Sequence, residues 1–105
     1  MTPEQETLCL ELITHAGIGR STAFEALAAA KAGAFERAAV LLKDAEKELG
    51  AAHTTQTKLL AGEAQGVGMT PSLLLVHAQD QLMTALSERT LIGELIELYR
   101  RLEAR

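Results

Sequence analysis

Residues 75–84 read Leu-Val-His-Ala-Gln-Asp-Gln-Leu-Met-Thr, and this stretch sets the periodicity around which the chain is organised. Its apolar residues recur at helical spacing, at which residues three or four positions apart share a face. His77 therefore lies beside Asp80. Asp80 itself falls between Val76 and Met83 on an otherwise apolar stripe. A carboxylate is costly to bury alone, so the sequence predicts that Asp80 meets a cation, a hydrogen-bond donor or a metal ion, or carries a proton.

The composition of the 105 residues favours a single, all-helical domain, residues 1–105. Apolar residues make up 48% of the chain but aromatic residues only 3%, so Leu, Ala and Ile must supply most of the core. Together with Glu, Lys and Arg these residues form helices readily, and few residues favour strands. The one cysteine, Cys9, is interpreted as a small buried apolar residue, with a reactive thiol as the alternative.

The charge pattern excludes some partners. Ten Lys and Arg against 14 Asp and Glu give a net charge of -4, without a basic block or aromatic residues for stacking bases, so nucleic acid is not an expected partner. No apolar run approaches the roughly 18 residues of a membrane span. The first residues also lack the pattern of a signal peptide. We expect a cytoplasmic protein without direct membrane insertion.

Start and stop signals divide the chain into three helices, at about residues 2–32, 34–64 and 70–103. Thr2 and Gln5 can form a capping box around Pro3, and Gly33 provides a stop. Two glycines within residues 65–69 predict the second break. Thr70 then repeats the opening signal, with Pro71 at the first helical position.

Two apolar seams precede the third helix. The first is formed by Cys9, Leu12, Ile13, Ala16, Arg20, Ala23, Phe24, Leu27 and Ala30, and the second by Ala38, Leu42, Ala45, Leu49, Ala52, Gln56 and Leu59. Arg20 interrupts the first seam, either with a buried stem and a solvated head or as a phosphate-binding group. Gly17 and Gly19 predict close backbone approach or a local distortion.

Three helices of about 30 residues with short connections predict an antiparallel three-helix bundle. The seams are rich in Ala and bury little area. The apolar positions of the third helix spread over more than one stripe, which indicates self-association.

The familiar catalytic motifs are missing. The sequence contains no GxxxxGKS/T, GxGxxG, CxxC or HExxH, and no glycine-flanked serine suited to a Ser-His-Asp site. A histidine can itself be the nucleophile, because one ring nitrogen can attack while the other is held by an acceptor. His77 is the candidate, with His53 open to either a structural or a functional role.

Four blocks of sequence resemble the enzyme IIA components of the lactose, N,N'-diacetylchitobiose and cellobiose branch of the bacterial sugar phosphotransferase system. The blocks are Ala16-Gly17 with Arg20-Ser21, Ala52-His53 with Gln56-Thr57 and Leu59, Val76-His77-Ala78-Gln79-Asp80 with Leu82-Met83-Thr84, and Glu94-Leu95-Ile96-Glu97-Leu98. They occur in the family's order and spacing, and they span nearly the whole chain.

The resemblance implies a three-helix subunit that assembles as a trimer, a nine-helix bundle. It identifies His77 as the phosphorylated residue, Asp80 as the ligand of a metal ion on the threefold axis, and Gln79, Gln56 and His53 as supporting residues. Mg²⁺ suits an oxygen site and would offset the repulsion of three carboxylates.

The implied activity is phosphoryl relay. A phosphotransferase component of this kind takes the phosphoryl group from the histidine-containing phosphocarrier protein. It then passes the group to enzyme IIB for the uptake and phosphorylation of a disaccharide of lactose, cellobiose or chitobiose type.

The chain departs from the family pattern at Gln81, where many members have histidine, and at Ile18 and Gly19. Two alternatives therefore stay open. One is a non-catalytic helical oligomer that acts as an interaction protein, and the other is a trimeric paralogue that has become a regulator.

Overall fold

The chain folds into three long helices. A computed structural model describes residues 1–68 and 70–105, so Met69, the last residue of the predicted break, lies outside the described residues. The helices are α1 (Pro3–Lys31), α2 (Phe35–Ala64) and α3 (Leu73–Glu103), and the described residues include no strand. They form a rod of 56 × 19 × 19 Å. The predicted all-α, three-helix subunit is confirmed.

The first helix begins as its sequence predicts. The backbone N–H of Gln5 donates to Thr2 Oγ1 at 3.1 Å, and the backbone N–H of Thr2 donates to Gln5 Oε1 at 2.9 Å. This capping box satisfies two N–H groups that the helix itself leaves without partners. The helix ends before Gly33, whose φ of 80° is open to glycine at little cost.

The third helix begins later than predicted. The prediction that Thr70 caps it, with Pro71 as the first helical residue, is wrong. The helix begins at Leu73, and the hydroxyl of Ser72 accepts from the backbone N–H of Leu75 at 3.1 Å. Both hydroxyl residues can serve as caps, and serine is the better of the two, so the later serine defines the start.

Small residues bring the helices close together. The core divides into two clusters of buried residues, both rich in alanine. One cluster contains Cys9, Leu12, Ala16, Ala52, Ala78 and Leu82, and the other contains Ala23, Ala26, Ala30, Ala38, Ala45, Ile92 and Ile96. Cys9 is fully buried, and this burial raises the pKa of its thiol, as the apolar interpretation predicts.

One of the two α1 glycines marks a close approach. A Cβ at Gly19 would lie 2.7 Å from Cδ2 of Leu49 and 3.2 Å from the carbonyl oxygen of Ala45, both on α2. A Cβ at Gly17 would meet no atom within 4 Å. The predicted close approach is therefore confirmed at Gly19 alone. Arg20 and Phe24, which were assigned to the same seam, lie on the surface instead.

No helix in the described part of the chain is both long and apolar enough to cross a membrane.

Candidate functional site

A second apolar stripe of α3 faces solvent in the single chain. Its large side chains follow the helical spacing of three or four residues, with Asp80 and Ser87 at the two positions of the stripe that are polar, and each apolar member is at least 42% exposed. They are Leu73, Val76, Met83, Leu91, Leu95, Leu98 and Leu102. The opposite side of α3 supplies the core residues Ala78, Leu82, Ala85, Ile92 and Ile96. We call the exposed set the outer stripe of α3.

Asp80 lies within the outer stripe and is exposed. Val76 and Met83 flank it at spacings of four and three residues, as the sequence predicts. The carboxylate therefore does not enter the core of its own chain. It would be enclosed only if a second molecule covered the outer stripe.

His77 lies on the side of α3 that faces α1. Glu88 marks this side, because it accepts a hydrogen bond from Nε of Arg20, on α1, at 2.6 Å. Positions 77, 84 and 88 are separated by seven and four residues, so they share one face of the helix. His77 is exposed, which leaves its imidazole open to a partner protein.

An amide pair lies on the side of α3 that faces α2. Nε2 of Gln56 donates to Oε1 of Gln79 at 2.6 Å and also lies 3.9 Å from Sδ of Met83. Both glutamines are half-buried. The two contacts of Gln56 fix both glutamine side chains, and they leave the amino group of Gln79 as a possible donor to a ligand.

Within one chain, the amide pair and His77 lie on opposite sides of Asp80. Each residue of a helix advances by about 100° around the helix axis, so residue 79 lies about 200° from residue 77, or about 160° by the shorter way. No hydrogen bond between described residues joins His77 to Gln56 or Gln79. The structure thus brings Gln56 and Gln79 together but does not bring His77 to them.

The other two histidines have different surroundings. His53 is exposed and lies one turn before Gln56 on α2, so its ring faces solvent in the single chain. His15, which the sequence did not single out, is half-buried, with Nδ1 2.7 Å from Oε2 of Glu48. That contact joins α1 to α2 away from the outer stripe.

Arg20 was left open as a buried stem or a phosphate ligand, and the structure shows an exposed ion pair. Besides bonding Glu88, its guanidinium lies over the ring of Phe24, 5.2 Å from the centroid. The hydrogen bond from Arg20 to Glu88 and the negative charge of Glu88 raise the pKa of Arg20 above its ordinary value. Sequence spacing could not reveal this pair, since its partners are 68 residues apart.

Asp80 was predicted as a metal ligand, and among the described residues of a single chain it belongs to no larger cluster of candidate ligands. Across residues 1–68 and 70–105, no group of three or more His, Cys, Asp and Glu side chains is arranged to hold a metal ion. Asp80 supplies one exposed carboxylate, which is a hard oxygen donor of the kind that Mg²⁺ accepts.

The class of protein follows from comparison with known families. Residues 7–100 match the model of the family described as the lactose/cellobiose-specific IIA subunit of the phosphotransferase system. The chain belongs to this family, and it is therefore an enzyme IIA component, a phosphotransferase component of a sugar phosphotransferase system.

Particular relatives support this assignment. The lichenan-specific phosphotransferase enzyme IIA component of Bacillus subtilis is 46% identical over 102 residues, which cover 97% of this chain and 93% of that protein. A cellobiose-specific enzyme IIA from Bacillus anthracis has a similar crystal structure, with a TM-score of 0.95 and 40% identity; the match covers 100% of this chain and 96% of that one.

A third relative is solved together with another protein. In solution structures of the IIA(chitobiose)–HPr complex from Escherichia coli, a matching chain has a TM-score of 0.84 and 43% identity, covering 97% of this chain and 99% of that one. The three relatives carry the names of three different carbohydrates.

Proposed function

We propose that this protein relays a phosphoryl group through His77. The exposed imidazole beside the outer stripe carries the proposal, since it lies in the sequence block that most resembles the family. The donor is HPr, the histidine-containing phosphocarrier protein, and the acceptor is enzyme IIB. The relay operates in the cytoplasm and serves the phosphorylation of an incoming disaccharide.

The chemistry requires little more than an accessible ring nitrogen. The neutral imidazole of His77 attacks the phosphorus of the phosphohistidine on HPr. A new N–P bond forms as the N–P bond of the donor breaks, and the donor imidazole leaves with the electron pair. The second transfer reverses these roles toward enzyme IIB. Such transfers depend on in-line approach and on hydrogen-bond donors around the phosphoryl oxygens.

We also propose that three copies assemble through the outer stripe, as the family resemblance implies. The seven large apolar side chains of the outer stripe are exposed in a single chain. A contiguous exposed apolar patch of this kind favours association with a partner. Three stripes meeting at one axis would bury these side chains. They would also bring three Asp80 carboxylates together.

A divalent cation such as Mg²⁺ fits the resulting site. Three carboxylate oxygens and water can complete the octahedral shell that Mg²⁺ prefers. When bound, the cation would offset the repulsion between the carboxylates and stabilise the trimer. Asp80 supplies the ligands and takes no part in phosphoryl transfer.

The trimer would also complete the phosphoryl site. In a cyclic assembly, one side of each subunit meets the other side of the next. The side that carries His77 would then face the partner subunit's Gln56 and Gln79, with the partner subunit's His53 near the same groove. Amide N–H groups aimed at His77 can stabilise the charge of the phosphoryl oxygens.

The proposal is tested by phosphorylation in solution. The protein is incubated with phosphoenolpyruvate, enzyme I and HPr, and its intact mass is measured before and after acid treatment. We expect a gain of one acid-labile phosphoryl group per chain, absent in His77→Ala. The variants His53→Ala and His15→Ala should still be modified, and all three should keep the parent oligomeric state.

Two results would overturn the relay. A phosphoryl group retained by His77→Ala would assign the acceptor elsewhere. No mass gain with active upstream proteins would favour the non-catalytic oligomer, for which the outer stripe is the supporting observation. Retained binding to a partner without transfer would then indicate the regulatory paralogue, in which Gln81 replaces the histidine of many family members.

A further inference from the structure

Two ion pairs tie α3 to its neighbours at almost the same height. Arg20 on α1 bonds Glu88 at 2.6 Å, and Arg89 bonds Glu46 on α2. Glu88 and Arg89 are consecutive, so their heights along α3 differ by about 1.5 Å. They point about 100° apart around the helix, one toward α1 and the other toward α2. Arg20 and Glu46 therefore lie level with each other on opposite sides of the subunit.

Arg20 and Glu46, the members of the two pairs that do not lie on α3, each have unused hydrogen-bonding capacity. Arg20 bonds Glu88 only through Nε, and in the described part of the chain its two terminal amino groups donate to no side chain. Its side chain is 48% exposed and is oriented by the ring of Phe24. Glu46 accepts through Oε1, its Oε2 has no donor among the described residues, and its side chain is 45% exposed.

We propose that Arg20 of one subunit binds Glu46 of the partner subunit across each interface of the assembly. The occupant is a second copy of this chain, and the contact rests on the trimer of the proposed function. Rotation about an axis parallel to α3 preserves height, so it brings the α1 side of one subunit level with the α2 side of the next. Arg20 would then meet the partner subunit's Glu46 with little vertical offset.

The charges along this row alternate in sign. Reading across the interface, the order is Glu88, Arg20, the partner subunit's Glu46 and the partner subunit's Arg89. Each inner charge has an opposite charge on both sides, and the terminal amino groups of Arg20 match a carboxylate in the paired geometry that guanidinium favours. The row fixes the vertical register of the subunits, which an apolar stripe alone specifies poorly.

The first test is a disulfide between subunits. In a Cys9→Ala background, chains carrying Arg20→Cys are mixed with chains carrying Glu46→Cys, refolded together and oxidised. We expect covalent dimers in the mixture. The matched control replaces Glu46→Cys by Val40→Cys, whose parent side chain is 60% exposed on α2, and should give none. Sedimentation of each sample before oxidation reports assembly separately.

These outcomes separate the contact from the assembly. Trimers that give no link between positions 20 and 46 would overturn the contact and leave the assembly in place. Monomers of the unsubstituted chain would overturn the assembly and this contact together, while the phosphorylation of His77 would be judged by its own assay.

The second test uses no cysteine and is a double-mutant cycle. Arg20→Gln and Glu46→Gln should each weaken assembly, by about threefold per contact, and the double variant should be no weaker than the single ones. The control is Arg101→Gln, because the ion pair of Arg101 with Glu97 lies within α3. Strictly additive effects of the two substitutions would contradict a direct contact.

Discussion

Gln56 on α2 donates to Gln79 on α3 at 2.6 Å, and this hydrogen bond lies on the far side of Asp80 from His77. The arrangement gives the two glutamines a fixed orientation that neither has alone. It also separates them from the histidine of their own chain, so a role in phosphoryl transfer requires a neighbouring subunit.

Replacing either glutamine should slow phosphoryl transfer. In Gln79→Leu, Gln56 loses its acceptor and the site loses an amide donor. We expect the rate of phosphorylation by HPr to fall at least about tenfold, with the trimer retained. The double variant with Gln56→Leu should be little slower than either single one, because the two act as a unit. Gln65→Ala, at the end of α2, is the control, and equal rates in all variants would exclude the amide pair from the site.

In the proposed trimer, replacing the three Asp80 carboxylates should remove the metal without dissociating the subunits. The leucine of Asp80→Leu would make the outer stripe apolar without interruption between Val76 and Met83. It would also replace the three mutually repelling carboxylates, one from each subunit, by apolar surface. We expect the parent protein to contain about one divalent cation per trimer and to lose thermal stability in chelator. Asp80→Leu should contain none and should not respond to chelator. A monomeric Asp80→Leu would show that the metal is essential for assembly.

Gly19 and Gly17 should respond in opposite ways to the same substitution. In Gly19→Ala the new methyl group would lie 2.7 Å from Leu49 Cδ2, and Leu49 is only 2% exposed and has little room to move. We expect a loss of about 1–3 kcal/mol in the free energy of unfolding. The methyl group of Gly17→Ala would have no neighbour within 4 Å beyond the adjacent backbone of α1, and the variant should gain up to about 1 kcal/mol from helix propensity. Denaturant titration of both variants measures the difference.

The two candidate caps of α3 can be compared directly. Ser72→Ala removes the hydroxyl that accepts from the N–H of Leu75 and should lower the free energy of unfolding by about 1 kcal/mol. Thr70→Ala removes a hydroxyl outside the helix and should change it by no more than about 0.5 kcal/mol. Equal losses would mean that both residues contribute to the start of the helix.

The sequence by itself determined the number, the type and most of the bounds of the helices. The capping box of Thr2 and Gln5 and the stop at Gly33 depend on residues a few positions apart, so the local sequence contains the whole interaction. The seam of α2 was also predicted, because its apolar residues follow one periodicity. Four sequence blocks in the family's order and spacing, including the block of His77 and Asp80, were enough to indicate the family.

The tertiary structure alone decided which side of α3 faces the core. Two apolar stripes run along α3, and periodicity cannot rank them, because both satisfy helical spacing. The small residues of α1 and α2 pack against the stripe that contains Ala78 and Leu82, and this packing leaves Asp80 exposed on the other stripe. The same packing turns the side of His77 toward α1 and the side of Gln79 toward α2, and it pairs Arg20 with a residue 68 positions away. Such contacts depend on how three helices pack together, which no single stretch of sequence specifies.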